Sequence, residues 1–238
     1  MAGKRNPKRE KPIELAKAAL GQEAAVALDP DILFGRASVD DLAAYTPEML
    51  ARSAVHAGQE LKAWTGESAH ISISPVDGVA PGGVPVCILT VIDRDMPFLF
   101  DSIMGEVTST HRDITLAVHP ILVVEAGREP SLYSFERSDA GSRHVSFIQV
   151  HLAPLSSDQS SGLMDRLRQV LDRVHSAISD WKPMLELVDH MSASGFIHTA
   201  HLVRPLVIDR IEDIVPAIET RWAETGAPEG DPETISKL

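Results

Sequence analysis

Seven consecutive residues, Val86-Cys87-Ile88-Leu89-Thr90-Val91-Ile92, constrain this chain more than any other stretch. Such a continuous β-branched and apolar run reads as a strand covered on both faces. Asp93-Arg94-Asp95 ends it. Asp95 is placed to cap a following helix, with Pro97 in its first turn. Met96, Phe100, Ile103 and Val107 then fall at spacings of four, three and four, one apolar helical face that Leu99 and Met104 widen. The chain therefore needs a layered fold in which a buried strand runs directly into a packed helix.

The residues downstream supply the partners. Ile114 to Glu125 alternates as a strand, and Pro120 within it predicts an edge or a bulge. Gly127 to Pro130 is a turn, Ser131 to Arg137 a short strand, and Val145 to Leu152 another. Leu163, Leu167, Val170, Leu171, Val174 and Ile178 make one stripe on a helix over about Ser157–Asp180. Pro183 suggests that Trp181–Met191 is a separate helix. The order strand, helix, three strands, helix predicts an α+β fold with two helices on one face of an antiparallel sheet. No closing strand is evident after it, and the early segment His70–Ser74 is a candidate for that edge.

Upstream, residues 1–11 carry five basic residues and one acidic, and read as a disordered basic tail. Residues 12–66 read as a helical pre-domain. Ser38 with Asp41 resembles a capping box, and Thr46-Pro47 a second helix start. Residues 67–85 hold the Pro- and Gly-rich linker PVDGVAPGGVP and the possible edge strand. The main domain spans 86–191, and 192–238 is an acidic segment of uncertain structure.

Composition sets the function classes aside. The net charge of -12 over 238 residues argues against a nucleic-acid or membrane-surface partner. No run of 18 apolar residues exists, and no apolar segment follows the basic N-terminus as a secretory signal requires. The single cysteine, Cys87, precludes an intrachain disulfide. A cytoplasmic protein is expected.

The segment Val91-Ile92-Asp93-Arg94-Asp95-Met96-Pro97-Phe98-Leu99-Phe100-Asp101-Ser102-Ile103 resembles the opening of an ACT-type regulatory domain. Its Asp-Met-Pro-Phe-Leu-x-Asp-Ser variant is similar to the N-terminal region of the large bacterial NAD-specific glutamate dehydrogenases. Val118-His119-Pro120-Ile121-Leu122, Ser146-Phe147-Ile148-Gln149-Val150 and Asp180-Trp181-Lys182-Pro183-Met184 match further segments of that family in order. The resemblance covers about Val86–Val188. It implies an ACT-like, ferredoxin-like sheet and a regulatory or assembly role, with oxidative deamination of glutamate as the parent reaction. It places NAD in a catalytic domain outside this chain. It also implies that the chain is a fragment, a truncated frame or a stand-alone module. Effector contacts would come from Asp93, Arg94, Asp95, Met96 and Phe98. Phe98 stands where ligand-binding ACT domains carry glycine, which sets a bulky side chain against an approaching amino-acid effector.

No catalytic residue is expected. None of the seven lysines lies in a glycine-rich segment, and no dinucleotide fingerprint or P-loop occurs, so no cofactor is expected in this chain. Ser102 and Ser146 lack a nucleophile elbow. His198 and His201 share a helical spacing, with His190 before them, but no third ligand follows, and no metal site is assigned. His119, His144 and His151 lie on strands that could bring them together. Self-association or docking through sheet edges, and an amino-acid effector, are the expected partners. The rival reading is a free-standing amino-acid sensor or protein-interaction module.

Overall fold

The computed structural model describes residues 7–110, 113–124, 131–132 and 143–193. The chain divides into two compact units, Met1–Pro183 and Met184–Leu238. Both faces of the sheet are built within the first.

Four helices come first: α1 (Pro7–Leu20), α2 (Pro30–Phe34), α3 (Val39–Ala43) and α4 (Pro47–Ala63). The strand β1 (His70–Pro75) follows, then β2 (Cys87–Arg94), α5 (Leu99–Thr110), β3 (Ile114–Val118), β4 (Ile121–Val124), β5 (Ser131–Leu132), β6 (Arg143–Leu152) and α6 (Ser157–Ala193). The helix starts are chemically explicit. Asp29 accepts from the Asp31 N–H at 3.0 Å, and the Thr46 hydroxyl accepts from the Met49 N–H. Each cap is followed by a proline at the first helical position.

The sheet is antiparallel, in the order β1-β2-β6-β4-β5, with β3 also on β6. Inserting β6 between β2 and the β3–β4 strand makes a split β-α-β arrangement. The outer place beside β2 is taken by β1, in register from His70 opposite Ile92 to Pro75 opposite Cys87. The early segment thus fills the edge that the downstream sequence leaves open.

Alternation then sorts the side chains. Ile88, Ile92, Leu116, Val118, Leu122, Val145 and Phe147 point to one face, where α1–α4 pack with Ile13, Leu33, Phe34, Leu42 and Leu50. Leu89, Val91, Ile148, Val150 and Leu152 point to the other, against Leu99, Ile103 and Val107 of α5 and Leu163, Leu167 and Leu171 of α6. The two-sided apolar run of β2 has this cause. The helical segment and the sheet share one core.

Four expectations are corrected. Residues 7–11 are helical rather than a tail: α1 begins at Pro7 with Pro12 inside it, and Arg9 docks by donating to the Gly35 carbonyl at 3.0 Å. Ser38 makes no capping bond, so the box with Asp41 does not form. The bulge lies between Ile114 and Leu116 rather than at Pro120, and it turns Ile114 to the α5–α6 face. Register is continuous across Pro120, from Val118 opposite Gln149 to Ile121 opposite Ser146. The Phe147 N–H donates to the Pro120 carbonyl, and only the return bond is lost because proline has no N–H. Finally, α6 is one helix that passes through Pro183, which removes one backbone bond without ending it.

Candidate functional site

The end of β2 is where polar groups enter the fold. Strand alternation aims Asp93 inward with Leu89 and Val91, and its residue is only 4% exposed. A buried carboxylate requires compensation. One oxygen accepts from the Arg94 backbone N–H at 2.7 Å and the other from His175 Nε2 on α6 at 2.6 Å. Asp93 thereby ties the sheet to α6. Arg94, next in the strand, points to solvent.

Beside this pair lies an open groove of about 590 Å³. Its walls are the segment from Gly66 to Ile71, the end of β2, and Arg168, Asp172 and His175 on α6. Arg143 holds one wall by donating to the Gly66 carbonyl at 2.9 Å. Trp64 Nε1 closes the same segment on the Ser68 carbonyl at 2.7 Å. Arg168 is paired with Asp165. The groove thus combines a buried, hydrogen-bonded carboxylate with exposed groups of both signs. That chemistry suits a small zwitterion better than a simple anion.

Asp95 turns the other way. Its backbone N–H donates to the His144 carbonyl at 3.0 Å, and its carboxylate accepts from Ser146 Oγ at 2.6 Å. Ser146 Oγ in turn lies 3.1 Å from His119 Nε2. Since the hydroxyl proton goes to Asp95, His119 Nε2–H is the donor there. The His119 ring stacks on Phe100, with centroids 4.7 Å apart and planes 9° from parallel. Burial lowers the His119 pKa, against the opposing pull of Asp95. Residues 95, 119 and 146 come from three separate sequence motifs and meet in this one chain. Asp95 is therefore committed to β6 and does not cap α5, which begins at Leu99.

The five residues expected to contact an effector are thus divided. Asp93 and Arg94 line the groove. Asp95 belongs to the Ser146–His119 chain. Met96 packs against the α5–α6 core. Phe98 is 69% exposed and holds a left-handed φ of +67°. The backbone keeps the conformation for which glycine is suited, in a residue that occupies it at a cost of about 1–2 kcal/mol.

The histidines expected to approach one another do not all do so. His119 faces α5, while His151 faces α4, where Tyr45 OH and Ser53 Oγ hold its ring. His198 and His201 lie outside the described residues. Among the described residues no group of three or more metal-ligating side chains assembles. His175, Arg168 and Asp172 were not singled out by sequence. His175 is four residues from Leu171, at the margin of the apolar stripe, and an inward-facing Asp93 demanded such a partner.

A split antiparallel sheet with two helices on one face, and a polar groove where its central strand turns into a helix, defines an ACT-like module. A model of the glutamate dehydrogenase ACT1 domain matches residues 31–171, and the chain belongs to that family. The match begins within α2, so much of the helical layer lies inside the matched domain. No curated protein and no solved structure matches the chain.

Proposed function

We propose that this chain is a non-catalytic regulatory and assembly segment of an NAD-dependent glutamate dehydrogenase. The parent reaction would be oxidative deamination of L-glutamate to 2-oxoglutarate, with NAD held by a catalytic portion of the parent enzyme. The observation that carries the reading is the groove beside Asp93 and Arg94. Arg94 offers a guanidinium to a carboxylate, and Asp172 offers an acceptor to an ammonium group. A ligand bound there would touch both β2 and α6, which the Asp93–His175 pair already couples. The assembly role rests on β1, which pairs with β2 along one side and, among the described residues, has no strand on its other edge, where a partner strand could add.

Calorimetry of the full chain against a panel of amino acids tests the effector role. Saturable binding to wild type, weakened at least tenfold in Arg94→Ala, is expected. Sedimentation equilibrium over a hundredfold concentration range tests assembly. Silence across the panel leaves assembly alone. Silence together with a strictly monomeric chain overturns the proposal. Binding by a monomer favours the free-standing sensor.

A further inference from the structure

A second polar system lies on the opposite face of the sheet, between α4 and the strands. Thr115 Oγ1 is 2.7 Å from Tyr45 OH, which is 2.8 Å from His151 Nδ1. His151 Nε2 is 3.1 Å from Ser53 Oγ, and Gln149 Nε2 donates to that same Oγ at 3.2 Å. Further along, His56 Nε2 approaches Thr90 Oγ1 at 3.5 Å and Glu60 at 3.7 Å. Glu60 also takes His70 at 2.5 Å and Ser72 at 2.8 Å, both on β1. Ser53, His56, Thr90, Gln149 and His151 are all buried. A stripe of hydrogen-bonded groups thus runs through an interface that is otherwise apolar.

One arrangement of protons satisfies the His151 end. Gln149 donates to Ser53, so Ser53 is free to donate its own proton to His151 Nε2. His151 then donates from Nδ1 to Tyr45, and Tyr45 donates to Thr115. A second proton on His151 would place an N–H against the Ser53 hydroxyl and reverse that bond. The groups facing the ring from each neighbouring element are Tyr45, Ser53 and His56, with Thr115 on β3 and Gln149 on β6. None is a carboxylate able to neutralise the charge, and His56 would repel it. The closest acidic influences lie further out, Asp41 toward Tyr45 and Glu60 toward His56.

From this geometry we infer that the seam is an acid-sensitive latch, which holds α4 on the sheet at neutral pH and releases it locally on acidification. Opening admits water to His151 and His56, and each takes up a proton that the closed seam excludes. Burial lowers the pKa of both histidines in the closed state, and Glu60 opposes this for His56. Below about pH 6.5 the opening equilibrium then rises, by up to about tenfold per pH unit for His151 and by less for His56, whose shift Glu60 opposes.

Hydrogen exchange of the full chain between pH 7.5 and 5, corrected for intrinsic rates, tests the latch. Amides of α4 are expected to lose protection by up to about tenfold per pH unit from His151, with a smaller addition from His56, while amides of α5 on the other face that exchange by local opening keep theirs. His56→Gln should lower the α4 slope by one histidine's share, and His151→Gln by another. Should His151→Gln fail to fold, the wild-type and His56→Gln slopes still decide. An α4 opening constant independent of pH would overturn the latch. So would an equal slope for α4 and α5, because acid would then act on the fold as a whole.

Discussion

The two faces of the sheet are both buried but chemically unlike. Against α5 and α6, the middle of the sheet is apolar: Leu89, Val91, Ile148, Val150 and Leu152. Among the described residues the polar groups of that face gather at its end, at Asp93, His119 and Ser146. Against α1–α4, Thr90, Gln149 and His151 stand within the interface itself. Apolar packing is strong and tolerant of register. A hydrogen-bonded seam fixes one arrangement and fails when one member changes its protonation. One face therefore provides stability with a site at its margin. The other carries a condition on its own closure.

The largest expected effect separates these roles. Ile148→Ala removes a fully buried side chain from the apolar face and should cost about 4 kcal/mol. Urea unfolding at pH 7 and at pH 4.5 should show about the same loss at both. The His151 term behaves otherwise. Its pKa falls from 6.5 to about 3 in the folded chain because of burial. Between those values the unfolded chain binds the extra proton, so stability decreases as pH falls from 6.5 toward 3. The slope is at most about 1.4 kcal/mol per pH unit. His151→Gln should flatten this acid limb, whereas Ile148→Ala should shift the curve without reshaping it. Equal acid limbs in wild type and His151→Gln would erase the distinction between the faces.

A smaller effect tests how closely the helical layer is fitted. Gly58 lies in α4, where a Cβ would fall 2.0 Å from the Val26 carbonyl oxygen and 2.8 Å from Leu28 N. The same approach allows the Leu28 N–H to donate to the Ala54 carbonyl at 3.0 Å. Gly58→Ala gains helix propensity of about 1 kcal/mol but must push backbone away. A net loss of about 2 kcal/mol is expected in urea unfolding. Stabilisation would mean that the 26–28 segment yields freely.

Much of this arrangement is legible in sequence, and the limits have physical reasons. The run from Val86 to Ile92 declares a strand with two covered faces, and the stripes of α5 and α6 declare what covers one of them. The composition of α1–α4 gives helices but not their docking, because periodicity within a segment carries no information about its partner. Thr90 in an apolar run, and Gln149 and His151 in strand alternation, show their parity but not that α4 would meet them. Asp93 and Arg94 were readable as a charged turn. Their separation from Asp95 was not, since it depends on which element crosses each side of the strand end. His175 lies 82 residues from Asp93, and that pairing exists only in the fold.

The smallest effect concerns strain at the margin of the apolar face. Phe98 holds φ +67° with its ring 69% exposed, so its removal forfeits little packing. A side chain in the left-handed region costs about 1–2 kcal/mol, which glycine avoids. Glycine also loses more backbone freedom on folding, which returns about 0.4–1 kcal/mol of that gain. Phe98→Gly should therefore stabilise the chain by about 0.5–1 kcal/mol in urea unfolding. The polar seam would be untouched, so the acid limb should keep its slope. Destabilisation instead would show that the Phe98 ring contributes packing which offsets its backbone. The turn beside the groove would then be held by contacts, and strain would no longer distinguish this margin from the opposite face.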